Sequence, residues 1–130
     1  MLDEFIKAIH ARLIGDASLT AVVASERIGN HIKDDATFPH IDWRLDDVAD
    51  GEDKSAEAYR GSIVLDVFSD YRGDLEVYQI HSLIRSALSS TLTVTGADNF
   101  LLRFESIDVS TDSDNRTRQG TITYTFELGE

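Results

Sequence analysis

The chain has 130 residues, 42% of them hydrophobic, no cysteine, and a net charge of −12 from 24 acidic and 12 basic residues. That length and apolar content predict one domain over residues 1–130 with a core of its own. The absence of cysteine excludes disulfides and thiolate metal sites, and the acidic excess argues against a dedicated nucleic-acid face, which needs clustered Lys and Arg.

The N-terminus, Met1-Leu2-Asp3-Glu4, lacks the basic start and apolar run of a signal peptide. No apolar run approaches the ~18 residues of a membrane span, so a soluble protein is expected. Leu2 to Ile14 reads as a helix, because Leu2, Phe5, Ile6, Ile9 and Leu13 recur at the spacing of one helical face. Asp3 and Glu4 in its first turn, with Lys7 and Arg12 later, suit the helix dipole. Gly15 is the expected stop. Asp16 or Ser18 is the expected cap of a short second helix over Leu19 to Ala24. A short strand is predicted around Ile28 to Ile32. Pro39 then marks the start of the next strand, where its missing N–H is not needed.

His40 to Val48 alternates, with His40, Asp42, Arg44 and Asp46 on one side and Ile41, Trp43, Leu45 and Asp47 on the other. Ala49 to Ala58 has no period and reads as a long loop. Arg60 to Ser69 carries apolar residues on both faces, as a central strand would. After a break at Asp70-Tyr71-Arg72-Gly73, a helix is predicted over Asp74 to Leu88, with Val77, Ile80, Ile84 and Leu88 on its inner side. Thr91 to Thr95 is β-prone, and Gly96-Ala97-Asp98-Asn99 is a turn. Phe100 to Val109 and Arg118 to Leu128 read as a closing antiparallel hairpin, with Ile122, Tyr124, Phe126 and Leu128 inward. The predicted class is α+β: an antiparallel sheet with helices packed mainly on one face, a long acidic loop and a C-terminal β-hairpin.

The charge is uneven. Between Asp34 and Glu57 lie nine acids (Asp34, Asp35, Asp42, Asp46, Asp47, Asp50, Glu52, Asp53 and Glu57) against Arg44 and Lys54, a local net of −7. Its plain reading is a solvated loop, and its sharper one an acidic rim that orients docking on a basic partner. The sequence offers little for catalysis. Gly61-Ser62-Ile63 lacks the second glycine of a nucleophile elbow. His10, His31, His40 and His81 are scattered without zinc-site spacing, and His10 and His81 are expected on helix surfaces. Asp112-Ser113-Asp114-Asn115 opens like a calcium loop, but Thr117 and Thr123 stand where that loop needs Gly and Glu. Trp43 reads as core. No cofactor or metal is implied.

Four stretches together resemble the tail terminator, or tail completion, family of long-tailed phages and gene transfer agents. The first is Arg12 to Val23 after the opening helix, with Arg27-Ile28 beyond it. The second is Thr37-Phe38-Pro39-His40-Ile41, with His40 where the family usually has an aromatic. The third is the Arg60–Phe68 strand running through Ser69-Asp70-Tyr71-Arg72-Gly73 into a long helix. The fourth is Asp112 to Gly120, similar to the family's D-x-x-x-R-x-G before its last strand. The likeness runs over residues 10–128.

The resemblance implies a structural virion protein rather than an enzyme. It implies a ring, typically a hexamer, on the head-proximal end of the tail tube, assembled in the host cytoplasm. Its partners would be further copies of itself, the tube protein and a head-completion or connector protein. DNA would pass the lumen unbound, since an acidic wall repels it. The expected interaction residues are Asp46, Asp47, Asp50, Glu52, Asp53 and Arg60 before the central unit, and Asp112, Asp114, Arg116 and Arg118 after it. Competing readings are another neck or tail subunit, such as a tube protein with a stacking hairpin, and a small-molecule-binding α+β domain with a polar pocket.

Overall fold

The computed structural model describes residues 1–30, 37–51, 57–89, 92–112, 114 and 116–130. In chain order its elements are α1 (Leu2–Ile14), α2 (Ala17–Thr20), a 3₁₀ turn (Ser25–Arg27), β1 (Ile28–Gly29), β2 (His40–Asp50), β3 (Ala58–Ser69), α3 (Leu75–Leu88), β4 (Asn99–Thr111) and β5 (Arg118–Gly129). The strands form one sheet in the order β1-β2-β3-β5-β4. The fold is thus α+β, with β3 central. All pairings are antiparallel except β1 with β2, which is parallel.

The helices lie on one face. Register places Trp43, Leu65, Ile122 and Ile107 side by side on that face, since opposite residues share a side of the pleat. Phe5, Ile9 and Leu13 of α1 and Val77, Ile80 and Ile84 of α3 are fully buried, as their spacing predicts. Phe5 packs its ring 4.6 Å from Phe126 and 5.6 Å from Phe100. Trp43 is fully buried, and His10 stacks on it at 6.4 Å. His81 packs against Phe104 at 5.1 Å. Both histidines are therefore half-buried packing residues rather than surface ones. Asp16 caps α2, accepting from the Leu19 N–H at 2.9 Å. Gly15 ends α1, with φ −86° rather than in the left-handed region.

Four local expectations change. The segment 49–58 is not all loop: β2 continues to Asp50 and β3 starts at Ala58, pairing Ala49 with Arg60 and Asp50 with Tyr59. A bulge between Asp46 and Ala49 shifts the register, and Asp47 adopts φ 52° there. Aspartate tolerates that conformation better than most residues. The bulge removes Asp47 from the apolar side that strict alternation assigns it, and the residue is exposed. The run after α3 forms no strand over its described residues. Val94 instead turns into the core, where it is 4% exposed. The predicted β1 extends only to Gly29, and His31 and Ile32 lie outside the described residues.

Among the described residues the other face of the sheet carries no helix. Asp66 sits in its middle, 9% exposed, accepting from Arg44 Nη1 at 2.8 Å and Thr121 Oγ1 at 3.1 Å. These bonds compensate the burial of a carboxylate inside an apolar-looking strand. His40 stacks on Phe68 at 4.7 Å and lies 5.3 Å from Phe38, so its ring fills an aromatic's place. Burial holds its pKa below the ordinary histidine value.

Candidate functional site: two ends of the sheet

The expected interaction residues separate to opposite ends of the long strands. Arg60 to Ser69 along β3 spans roughly 30 Å at ~3.3 Å per residue. At the far end, the β4–β5 turn folds onto the turn between β3 and α3. Asp112 donates its N–H to the Thr117 carbonyl at 2.8 Å, closing the hairpin. Asp114 Oδ1 accepts from the N–H groups of Arg116 and Thr117, both at 2.8 Å, and its Oδ2 accepts from Thr117 Oγ1 at 2.6 Å. These bonds, the Thr117 hydroxyl foremost, pull the Asp114 pKa down to about 2. This is an Asx-type turn, which explains the aspartate.

Arg116 Nε donates to the Asp70 carbonyl at 3.2 Å, and Arg118 Nε to Asp74 Oδ1 at 2.9 Å. The Arg118 side chain is only 17% exposed. Gly120 lies beneath α3, and a Cβ there would overlap Val77 Cγ1. Glu76 accepts from Ser69 Oγ at 2.7 Å, tying α3 to the end of β3. Asp114, Arg118 and Gly120, the residues of the D-x-x-x-R-x-G pattern, thus respectively shape the turn, pin it to α3 and let α3 approach. An open cleft of about 360 Å³ remains, lined by Asp70, Arg72, Gly73, Arg116 and Arg118.

Beside this cleft stand Tyr71, Leu75 and Tyr78, respectively 51%, 58% and 46% exposed. Leu75 and Tyr78, at i and i+3 in the first turn of α3, share one outward side, distinct from the buried Val77, Ile80, Ile84 side, and Tyr71 precedes them in the turn before the helix. Sequence reasoning missed this outward side, because the inner stripe accounts for the helix on its own. On the same helix Arg85 lies 4.4 Å over the Phe104 ring, while Gln79 is exposed.

At the near end Asp46, Asp47, Val48, Ala49 and Asp50 are all exposed. Arg60 stands opposite Ala49 on β2 and Glu127 on β5. The Tyr59 hydroxyl donates to Glu57 at 2.8 Å, and the C-terminus is held by the Glu130 N–H on the Glu57 carbonyl at 3.1 Å. Glu52 and Asp53 lie outside the described residues. So Asp46, Asp47, Asp50 and Arg60 share one end, and Asp112, Asp114, Arg116 and Arg118 the other. Among the described residues no group of three or more His, Asp or Glu is placed to hold a metal ion, and no helix is long and apolar enough to cross a membrane.

At the far end, the polar groups of this α+β subunit shape the turn and brace it against α3. Residues 7–127 match the family model described as Tail completion protein gp17, and the chain belongs to that family of structural phage tail proteins. A chain from the virion of a native gene transfer agent particle shares the fold, with TM-score 0.82 at 18% identity, covering 95% of this chain and 93% of that one. A second solved chain aligns with TM-score 0.63 at 12% identity, covering 98% of this chain and 95% of the other. No curated protein matches the sequence.

Proposed function

We propose that this chain caps the head-proximal end of a phage or gene-transfer-agent tail tube as a ring, ending tube polymerisation and presenting the joining surface to a head-completion protein. The observation that carries this reading is the family match, which runs from α1 into β5. The resemblance to a gene transfer agent virion chain over nearly the full length of both chains supports it. The ring is a homo-oligomer, hexameric by the family resemblance, assembled with other virion proteins in the host cytoplasm. It has two unlike faces, one for the tube and one for the connector. DNA passes its lumen without specific contacts, helped by the chain's net charge of −12. No catalytic step belongs to this role.

A tube subunit is the less supported reading. It calls for a hairpin free to stack on the next ring, whereas β5 is paired along its length with β3 and the hairpin turn is bonded to Asp70 and Asp74. The test is tube polymerisation with and without this protein, read as tube length by electron microscopy. Added protein should stop growth at one end. Tubes that lengthen equally in its presence would refute the capping role.

A further inference from the structure

The two sheet ends differ in what they leave unsatisfied. At the far end Asp74 and Asp114 spend their carboxylates inside the fold, on Arg118 and on the turn. Arg116 commits only its Nε, and Arg72, an exposed residue, has no hydrogen bond or ion pair among the described residues. Two guanidinium groups thus keep donors for an outside acceptor, with Asp70 offsetting part of their charge. They stand beside Tyr71, Leu75 and Tyr78, each about half exposed. Tyr and Arg around an exposed apolar side chain is the composition of interface centres.

At the near end, Asp46, Asp47 and Asp50 are exposed carboxylates that make no hydrogen bond or ion pair among the described residues. Between them Val48 is 39% exposed, carried outward by the bulge. This is the complement of the far end: acids with an apolar residue among them, against arginines with apolar residues beside them.

We propose that copies of this chain join head to tail, the Asp46–Asp50 end of β2 in one copy seating on the Tyr71, Arg72, Leu75, Tyr78 and Arg116 surface of the next. The inference rests on the ring reading above and names its contact. The two surfaces lie roughly 30 Å apart along the same strands, so no single copy brings them together. A contact between unlike patches is heterologous, and such contacts close into rings when the rotation per copy allows. Ion pairs here set orientation and association rate, while the aromatic and leucine side chains supply most of the burial.

The chain has no cysteine, which makes the contact trappable. Val48→Cys and Leu75→Cys, both at exposed positions, are made in separate chains, mixed in equal amounts and oxidised. The disulfide between the two variants should accumulate faster than either self-pair and exceed its statistical share. A statistical distribution, or dominance of self-pairs, overturns the proposal. A charge exchange gives the second reading. Arg72→Glu with Arg116→Glu in one chain, and Asp46→Lys with Asp50→Lys in another, should each lose assembly on tube ends. The equimolar mixture should regain it, since every contact between unlike variants is again complementary. Retained assembly by both variants alone, or no recovery on mixing, contradicts the contact. If parent protein caps tubes while the disulfides stay statistical, the contact falls and the capping role stands. If the mixed disulfide forms while tubes grow uncapped, the reverse holds.

Discussion

The two ends of the sheet are made from the same long strands yet treated in opposite ways. At the far end, the β4–β5 turn is bonded to itself through Asp114 and to the rest of the fold through Arg116 and Arg118. At the near end, the acids of β2 stand exposed around a bulge. A charge spent internally steadies its own surroundings, whereas one left in water contributes little to stability and remains available to a partner. Arg118 and Asp46 would look alike in a charge count. The first is a strut and the second an exposed, unbonded charge.

That contrast can be broken at several strengths. The largest effect is expected from Trp43→Ala, which empties a fully buried site between the ends. It should cost about 3–5 kcal/mol and loosen both ends together, as read by urea unfolding. Gly120→Ala comes next. Its Cβ would meet Val77, so α3 must shift off β5 at a cost of about 1–3 kcal/mol. Hydrogen exchange should rise near the β4–β5 turn and stay unchanged at Asp46–Asp50.

Two pH effects follow. His40 and His81 both have pKa values lowered chiefly by burial, with Arg85 adding to the effect at His81. The unfolded chain therefore binds protons first, and stability should decline as pH falls below about 6.5. His40→Phe, which keeps the stack on Phe68, should flatten part of that decline in urea midpoints measured from pH 7 downward. Asp114 acts lower. Its stabilisation is complete above an unfolded carboxylate's pKa of about 3.9 and is lost as pH falls through the folded value, which is about 2. Asp114→Ala should speed amide exchange at Arg116 and Thr117 and remove that acid-dependent step. The smallest effect on stability is expected from Asp46→Asn with Asp50→Asn, within about 0.5 kcal/mol per substitution. That pair should nonetheless weaken assembly, which no stability assay would reveal.

Much of the fold was legible because burial imposes periods. The alternation Ile122, Tyr124, Phe126, Leu128 marks β5, and apolar residues on both faces of β3 mark the central strand. What stayed hidden depends on register or distance. The bulge at Asp47 has no residue signature of its own, so strict alternation misplaced that side chain. Asp66 finds Arg44 only once β2 and β3 are paired, and Arg118 meets Asp74 across 44 positions. His10 and His81 fit an exposed helical face by type, and their stacking on Trp43 and Phe104 follows from how α1 and α3 sit on the sheet. The acidic cluster itself was plain from composition. That Asp46, Asp47 and Asp50 are left unbonded at one end of the sheet was not.

The most direct test of the capping role is to locate the protein on finished tail tubes. Labelled protein, imaged by electron microscopy on tubes of defined polarity, is predicted to form one ring at the head-proximal end and to be absent elsewhere. Label distributed along the tube wall, or rings at the opposite end, would contradict it.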